Sequence, residues 1–244
     1  MLRYLHKYAN PFVFLKVSTP VRKISAILAT LTIFLGLIFA IFLSPPDYQQ
    51  KETVRIMYIH VPCAWMSLMV YAFIFFSSIM FLTWRFPLFL ILSKESVNIG
   101  IIFTFSALLS GSLWGKPTWG TYWVWDARLT SFLVLFFIFL GLKLIKDSFS
   151  FSSKGDHIFA YLALIGGVNL PIIKFSVDWW NTLHQPASIL RTGGVAINSQ
   201  MLIPLMLMAL GFLFLFIYIL LISMEINIKN KKLLLLNENI NKIK

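Results

Sequence analysis

The sequence predicts an all-α polytopic membrane protein of six transmembrane helices with both termini in the cytoplasm. Three observations carry that expectation. Hydrophobic residues make up 59% of the chain and charged residues only 12%, with a mean hydropathy of +0.81, whereas a soluble domain carries charge on about a quarter of its positions. The apolar residues gather into six runs that suit helices crossing a hydrocarbon core. Most of the 21 Lys and Arg fall on the termini and on the connectors after the second and fourth runs, and such segments stay in the cytoplasm. The net charge of +12 therefore reads as topology and excludes a nucleic-acid surface.

Residues 1–23 form a basic N-terminus holding Arg3, Lys7, Lys16, Arg22 and Lys23 and no acid. The run 24–43 is longer than the apolar region of a secretory signal, and no small-x-small cleavage site precedes Pro45 and Pro46. It predicts a retained first span that the two prolines end. A polar connector, 47–55, leads to a second span over 61–83, with His60 at its entrance and Pro62 in the first turn, where a missing N–H costs nothing. The third span is 96–113. Then comes WGKPTWGTYWVWD, 114–126, followed by a fourth span over 129–142 or slightly beyond. After a polar connector, 143–156, a fifth span over 158–175 contains Gly166, Gly167, Asn169 and Pro171, which predict a kink. A long loop, 177–200, precedes the sixth span, 201–223. The basic, Asn-rich tail, 224–244, is expected to be disordered or to rest Leu233 to Leu236 on the membrane surface. The membrane domain is thus 24–223, and its outward surface is built from 44–60, 114–128 and 176–200.

Several function classes are excluded or disfavoured. The single Cys63 rules out an internal disulfide, a CxxC redox pair and a multi-Cys metal site. None of the nine acids lies near the middle of an apolar run. A charge at the bilayer centre costs roughly 2.5–3.5 kcal/mol and is usually kept for a transport path or relay, so an ion-coupled transporter is disfavoured. There is no nucleophile triad, HExxH or metal-ligand cluster, so no enzyme is expected.

Half of the eight tryptophans lie in 114–126, on the outward face. Four indoles beside Tyr122 suit either an interfacial aromatic belt or a platform for a flat aromatic ligand. A belt explains one or two of them better than it explains the cluster. If the segment is helical, Trp119, Trp123 and Asp126 share one face and Trp125 points elsewhere. His60 and His184 stand at outer membrane boundaries, His184 within VDWWNTLHQP beside Trp179 and Trp180. A lone histidine is more often a hydrogen-bonding residue than a ligand. Two histidines flanking an aromatic shelf could also clamp a flat macrocycle through its metal. His6 and His157 fall on the cytoplasmic side and are read as incidental.

The string WGTYWVWD at 119–126, preceded by outward His60 and followed by outward His184 in six spans, resembles the haem-handling protein C family of the system I cytochrome c maturation pathway. The signature is shared by a wider tryptophan-rich WWD superfamily of haem handlers. The cytochrome c haem lyases and the system II synthetase differ by additional spans and histidines that 244 residues cannot accommodate. The resemblance implies non-covalent haem b in transit, with His60 and His184 as axial iron ligands and Trp114, Trp119, Trp123, Trp125 and Asp126 lining the platform. It implies delivery to a membrane-anchored haem chaperone, alongside ABC transporter subunits and a small accessory membrane subunit. It also implies the bacterial inner membrane, with the mitochondrial inner membrane as the alternative. Arg128 and Arg191 are outward cations, and one of them is expected to pair with a haem propionate through its bidentate fork. Two readings from other classes stand beside this one: a haem permease or exporter subunit, and a docking subunit that binds no haem. Catalysis by this chain is at most templating of haem attachment to the chaperone.

Overall fold

Each of the six apolar runs forms helix, and proline, glycine or an aspartate cap sets several of the ends. The computed structural model describes residues 11–149, 152–185, 189, 194 and 196–243. Helix α1, Pro11–Ile38, passes into a π-helical turn, Phe39–Leu43, and stops at Ser44 before the two prolines. A 3-10 turn, Glu52–Ile56, leads into α2, Met57–Trp84. Then follow α3, Pro87–Trp119; α4, Ala127–Ser148; α5, Ser153–Gly166; α6, Asn169–Trp179; and α7, Ser199–Ile243. Six segments are long and apolar enough to cross a membrane, with α5 and α6 together forming the fifth. The chain is a multi-pass membrane protein. An even number of passes returns α7 to the end of the bundle where α1 began, and the site lies at the opposite end.

Several helix limits differ from the sequence expectation. Helix α1 starts well before residue 24, because its basic first turns are tied to α7: buried Glu225 accepts from Arg22 Nη1 at 2.6 Å and from Ser18 Oγ at 3.3 Å. Helix α3 takes in most of the residues between the expected second and third spans and nearly half of the tryptophan stretch. Pro87 begins it at a position that needs no N–H donor. The tail is not disordered among its described residues: α7 continues through Ile243, and nothing after residue 224 breaks it, since no glycine or proline occurs there. The expected interruption of the fifth span is present between Gly166 and Asn169, and Asn169 Nδ2 donates to Ser131 O at 2.9 Å.

Helix α1 packs chiefly on α7 and α2 on α3, while α4 closes against α3, α5 and α6. Tyr71, Ile74, Val97, Leu135, Phe139 and Phe159 are fully buried in the main core. Tyr71 meets Phe139 edge-on at 5.2 Å and donates its hydroxyl to Ala163 O at 3.1 Å. A second, smaller core forms at the site end from Ala40, Val54, Met57, Tyr58, Met201, Leu205 and Met208, with Trp114 packed against it. This smaller core seats the end of α3.

Candidate functional site

The connector after α1 is ordered by Asp47, whose Oδ1 accepts the Gln49 and Gln50 N–H groups at 2.9 and 2.8 Å. That turn presents Gln50 to α3, where Trp114 Nε1 donates to Gln50 Oε1 at 3.0 Å. Trp114 also meets the His60 ring edge-on at 5.6 Å. His60 lies in the first turns of α2 rather than ahead of it, and its Nδ1 is 3.0 Å from Ala107 O and 3.2 Å from Ser110 Oγ on α3.

The end of α3 is made by Gly120, at φ 79°, whose N–H donates to Lys116 O at 3.0 Å. Glycine occupies this left-handed position without a Cβ penalty. Residues 120–126 then form a loop that folds back on the helix, with Ser112 Oγ donating to Tyr122 O at 2.8 Å and Lys116 Nζ to Gly120 O at 3.0 Å. The helical face expected for Trp119, Trp123 and Asp126 is therefore absent, because the left-handed turn at Gly120 separates Trp119 from the other two. Trp123 and Trp125 instead meet edge-on at 5.5 Å in the loop. Trp125 is 76% exposed. Trp123 Nε1 is buried without a hydrogen-bond partner.

Asp126 ends the loop as the N-cap of α4, its Oδ1 accepting the Leu129 N–H at 2.7 Å. Its Oδ2 accepts from the Thr182 hydroxyl and lies 3.2 Å from His184 Nδ1. Burial alone would push the Asp126 carboxyl up, but the bonds from Leu129, Thr182 and His184 outweigh it and hold the group below its ordinary range. Burial pushes the His184 imidazole below its ordinary value, an effect that Asp126 partly opposes and Arg128 reinforces. At neutral pH the contact is thus a hydrogen bond from a neutral imidazole to a carboxylate. On its other side the His184 ring meets Trp119 edge-on at 4.8 Å.

Trp114 and Trp119, on one helix end, therefore each carry a histidine from another segment, and the two imidazoles lie within electrostatic range of each other. In both rings Nδ1 faces an acceptor, which leaves Nε2 as the lone-pair nitrogen. Such a pair can ligate a metal held in a flat macrocycle, with indoles as its stacking surface. Arg128, in the first turn of α4, donates Nε to Ser176 Oγ at 3.2 Å and lies in the field of Asp126 and Asp178. Arg191 and His6 lie outside the described residues. His157 is at the opposite end of the bundle, with Nδ1 2.8 Å from Ser153 O.

Five participants went unnoticed in the sequence. Gln50 and Thr182 sit in polar loops with no spacing relation to their partners, although Thr182 stands two residues before His184 and accepts its N–H at 3.1 Å. Ala107, Ser110 and Gly111 did carry a signal, as small residues at helical spacing on the turn before Trp114.

The family model described as heme exporter protein C matches residues 4–237. The chain is 50% identical over 201 residues to the heme exporter protein C of Bradyrhizobium diazoefficiens, covering 82% of this chain and 76% of that one. It is 40% identical over 207 residues to the heme exporter protein C of Haemophilus influenzae, covering 85% and 84%. It is also 50% identical over 174 residues to a ccmC-like mitochondrial cytochrome c biosynthesis protein of Marchantia polymorpha, covering 71% and 73%. With bacterial and mitochondrial relatives aligned over most of its length and the family model spanning nearly all of it, the chain belongs to the heme exporter protein C family.

Proposed function

We propose that this chain holds b-type haem at the outer face of the membrane and delivers it to a membrane-anchored haem chaperone for cytochrome c maturation. The observation that carries the reading is the matched state of the two histidines. His60 and His184 each direct Nδ1 to an acceptor, 3.0 Å away at Ala107 O and 3.2 Å away at Asp126 Oδ2, so each offers Nε2 to iron. Haem is the cargo, and these are its axial ligands.

Other residues fit the same cargo. Trp114 and Trp119 set the tilt of the two imidazoles by edge contacts, and exposed Trp125 extends the aromatic surface. Trp123 Nε1, buried and unpartnered, is a donor awaiting an acceptor, and a haem propionate is one. Arg128 keeps guanidinium nitrogens beyond the Nε that bonds Ser176, so it can serve a second propionate. Asp126 keeps His184 in the ligating tautomer rather than touching iron.

A carrier must release its load as well as hold it. Neutral ligands at a partly exposed surface suit release better than a closed pocket does. The chain acts by presenting haem, with no group of its own attacking it, so it is a carrier and not an enzyme. The concentration of cations at the termini end orients that end to the cytoplasm, where ABC transporter subunits and a small accessory membrane subunit complete the assembly. Among the described residues, the two carboxylates buried in helix interiors are paired at that same end: Glu225 with Arg22, and Glu95 with Lys146 Nζ at 3.2 Å and Asn227 Nδ2 at 3.0 Å. That arrangement favours handling at a surface over passage through this chain alone.

The test is transfer itself. The detergent-purified chain is loaded with haem and mixed with the chaperone's soluble domain, and haem absorption is followed on each after separation. Movement of haem to the chaperone, lost with His184→Ala, is the expected result. Retention of all haem by the loaded chain, or transfer unaffected by that substitution, would contradict the proposal.

A further inference from the structure

His60 is carried by α2 but seated by α3. The Ser110 hydroxyl donates to Ser106 O at 2.6 Å, so the Ser110 oxygen that lies 3.2 Å from His60 Nδ1 acts as an acceptor there, beside Ala107 O at 3.0 Å. The ring held by these bonds lies against Gly111. A Cβ built on Gly111 would stand 2.7 Å from His60 Cε1 and 3.1 Å from Nδ1. Cβ atoms do not approach that closely, and the ring is held by hydrogen bonds, so any side chain at 111 displaces it. Trp114 then closes the seat at the ring edge, 5.6 Å between centroids. Residues 107, 110, 111 and 114 recur at the spacing of a single helix face.

We propose that Gly111 is a positioning residue for haem ligation: the bare backbone at that turn sets the height and tilt of the His60 imidazole, and with it the direction of the Nε2 lone pair. The inference rests on the reading of His60 as an iron ligand. A side chain at 111 pushes the ring off Ala107 O and changes the direction of the Nε2 lone pair without removing any other site side chain. Alanine suits a helix interior better than glycine does, so the substitution separates ligand geometry from helix stability.

The experiment compares Gly111→Ala with Gly141→Ala in the full chain, loaded with haem in detergent. Gly141 is a helical glycine whose added Cβ would meet only Leu162 Cδ2, at an ordinary 3.7 Å. Gly141→Ala is expected to match the native chain. Gly111→Ala is expected to keep the native thermal midpoint, lose much of the low-spin ferric spectrum, and bind haem about tenfold or more weakly, the range typical of disturbed ligand support. Imidazole added from solution should restore the low-spin form in Gly111→Ala and leave the native spectrum unchanged. If Gly111→Ala keeps native spectrum and affinity while His60→Ala loses them, the seat is wrong and the ligand stands. If His60→Ala also leaves the native spectrum intact, both ideas fall. Should Gly111→Ala not fold, the double variant His60→Ala/Gly111→Ala decides, since removing the imidazole removes the ring that the new Cβ would meet. The double variant should then fold as His60→Ala does, and a double variant that also fails to fold overturns the proposal.

Discussion

Asp126 Oδ2 lies 3.2 Å from His184 Nδ1 while Oδ1 of the same carboxylate accepts the Leu129 N–H at 2.7 Å. One side chain therefore starts α4 and fixes the tautomer of a histidine in the loop before α7. A carboxylate behind a ligating imidazole fixes its orientation and raises its basicity.

The two roles separate by substitution. Asparagine caps a helix about as well as aspartate, so Asp126→Asn should leave the thermal midpoint in detergent nearly unchanged. An amide can donate as well as accept, so His184 would no longer be held with Nδ1 protonated, and haem affinity should fall about 10- to 100-fold. Asp126→Ala should add a loss of about 1 kcal/mol in stability from the missing cap. Native haem affinity in Asp126→Asn would remove the carboxylate's proposed role.

Acid should release haem in a defined direction. His184 is held below its ordinary value by burial, so the folded chain keeps it neutral at a pH where an unfolded imidazole, near pKa 6.5, is about half protonated. Its contribution to stability is complete above about 6.5 and is lost as pH falls through that value toward the lower folded one. Asp126, held low by its donors, gives up its share only later, as pH falls through its depressed folded pKa. Haem occupancy followed by the Soret band should therefore persist at pH 6.5 and decline below it. A band unchanged down to about pH 4, well below the reference value, would contradict histidine ligation.

Trp123→Phe keeps an aromatic ring and removes the buried, unpartnered Nε1–H. An unsatisfied buried donor costs about 1–3 kcal/mol, so its removal offsets the smaller ring, and the haem-free protein should stay within about 1 kcal/mol of native. Haem retention should fall about tenfold, the loss expected for one hydrogen bond to a charged acceptor. Equal retention in the two proteins would show that this N–H does not meet the cargo.

Glu225→Ala should act at the other end of the molecule. It strands Arg22, now 2.6 Å away, and frees the basic start of α1 from α7. The expected cost is about 2 kcal/mol in thermal or denaturant unfolding, the order of a hydrogen bond to a charged group, with haem affinity per folded molecule unchanged. An unaltered unfolding midpoint would mean that the α1–α7 contact does not depend on this pair.

The spans were legible in the sequence because each apolar run is bounded by polar residues, and the break in the fifth because Gly166, Gly167 and Pro171 stand together. Helix limits were not legible where charged residues stand inside a helix. Residues 11–23 stay helical because Ser18 and Arg22 reach Glu225, and the tail stays helical because nothing in it breaks a helix. The gathering of His60, His184 and the tryptophans at one end followed from counting passes. The pairings among them did not, since Asp126 and His184 are 58 residues apart and no spacing relates them. The helical face drawn through Trp119, Trp123 and Asp126 failed at Gly120, whose positive φ ends the helix within the motif.

The most direct measurement is the absorption spectrum of the detergent-purified chain beside those of His60→Ala and His184→Ala. The account predicts a low-spin b-type haem spectrum in the native protein that each substitution weakens or alters. A native protein that stays colourless after expression with its chaperone and ample haem, or a haem spectrum that neither substitution changes, would contradict it.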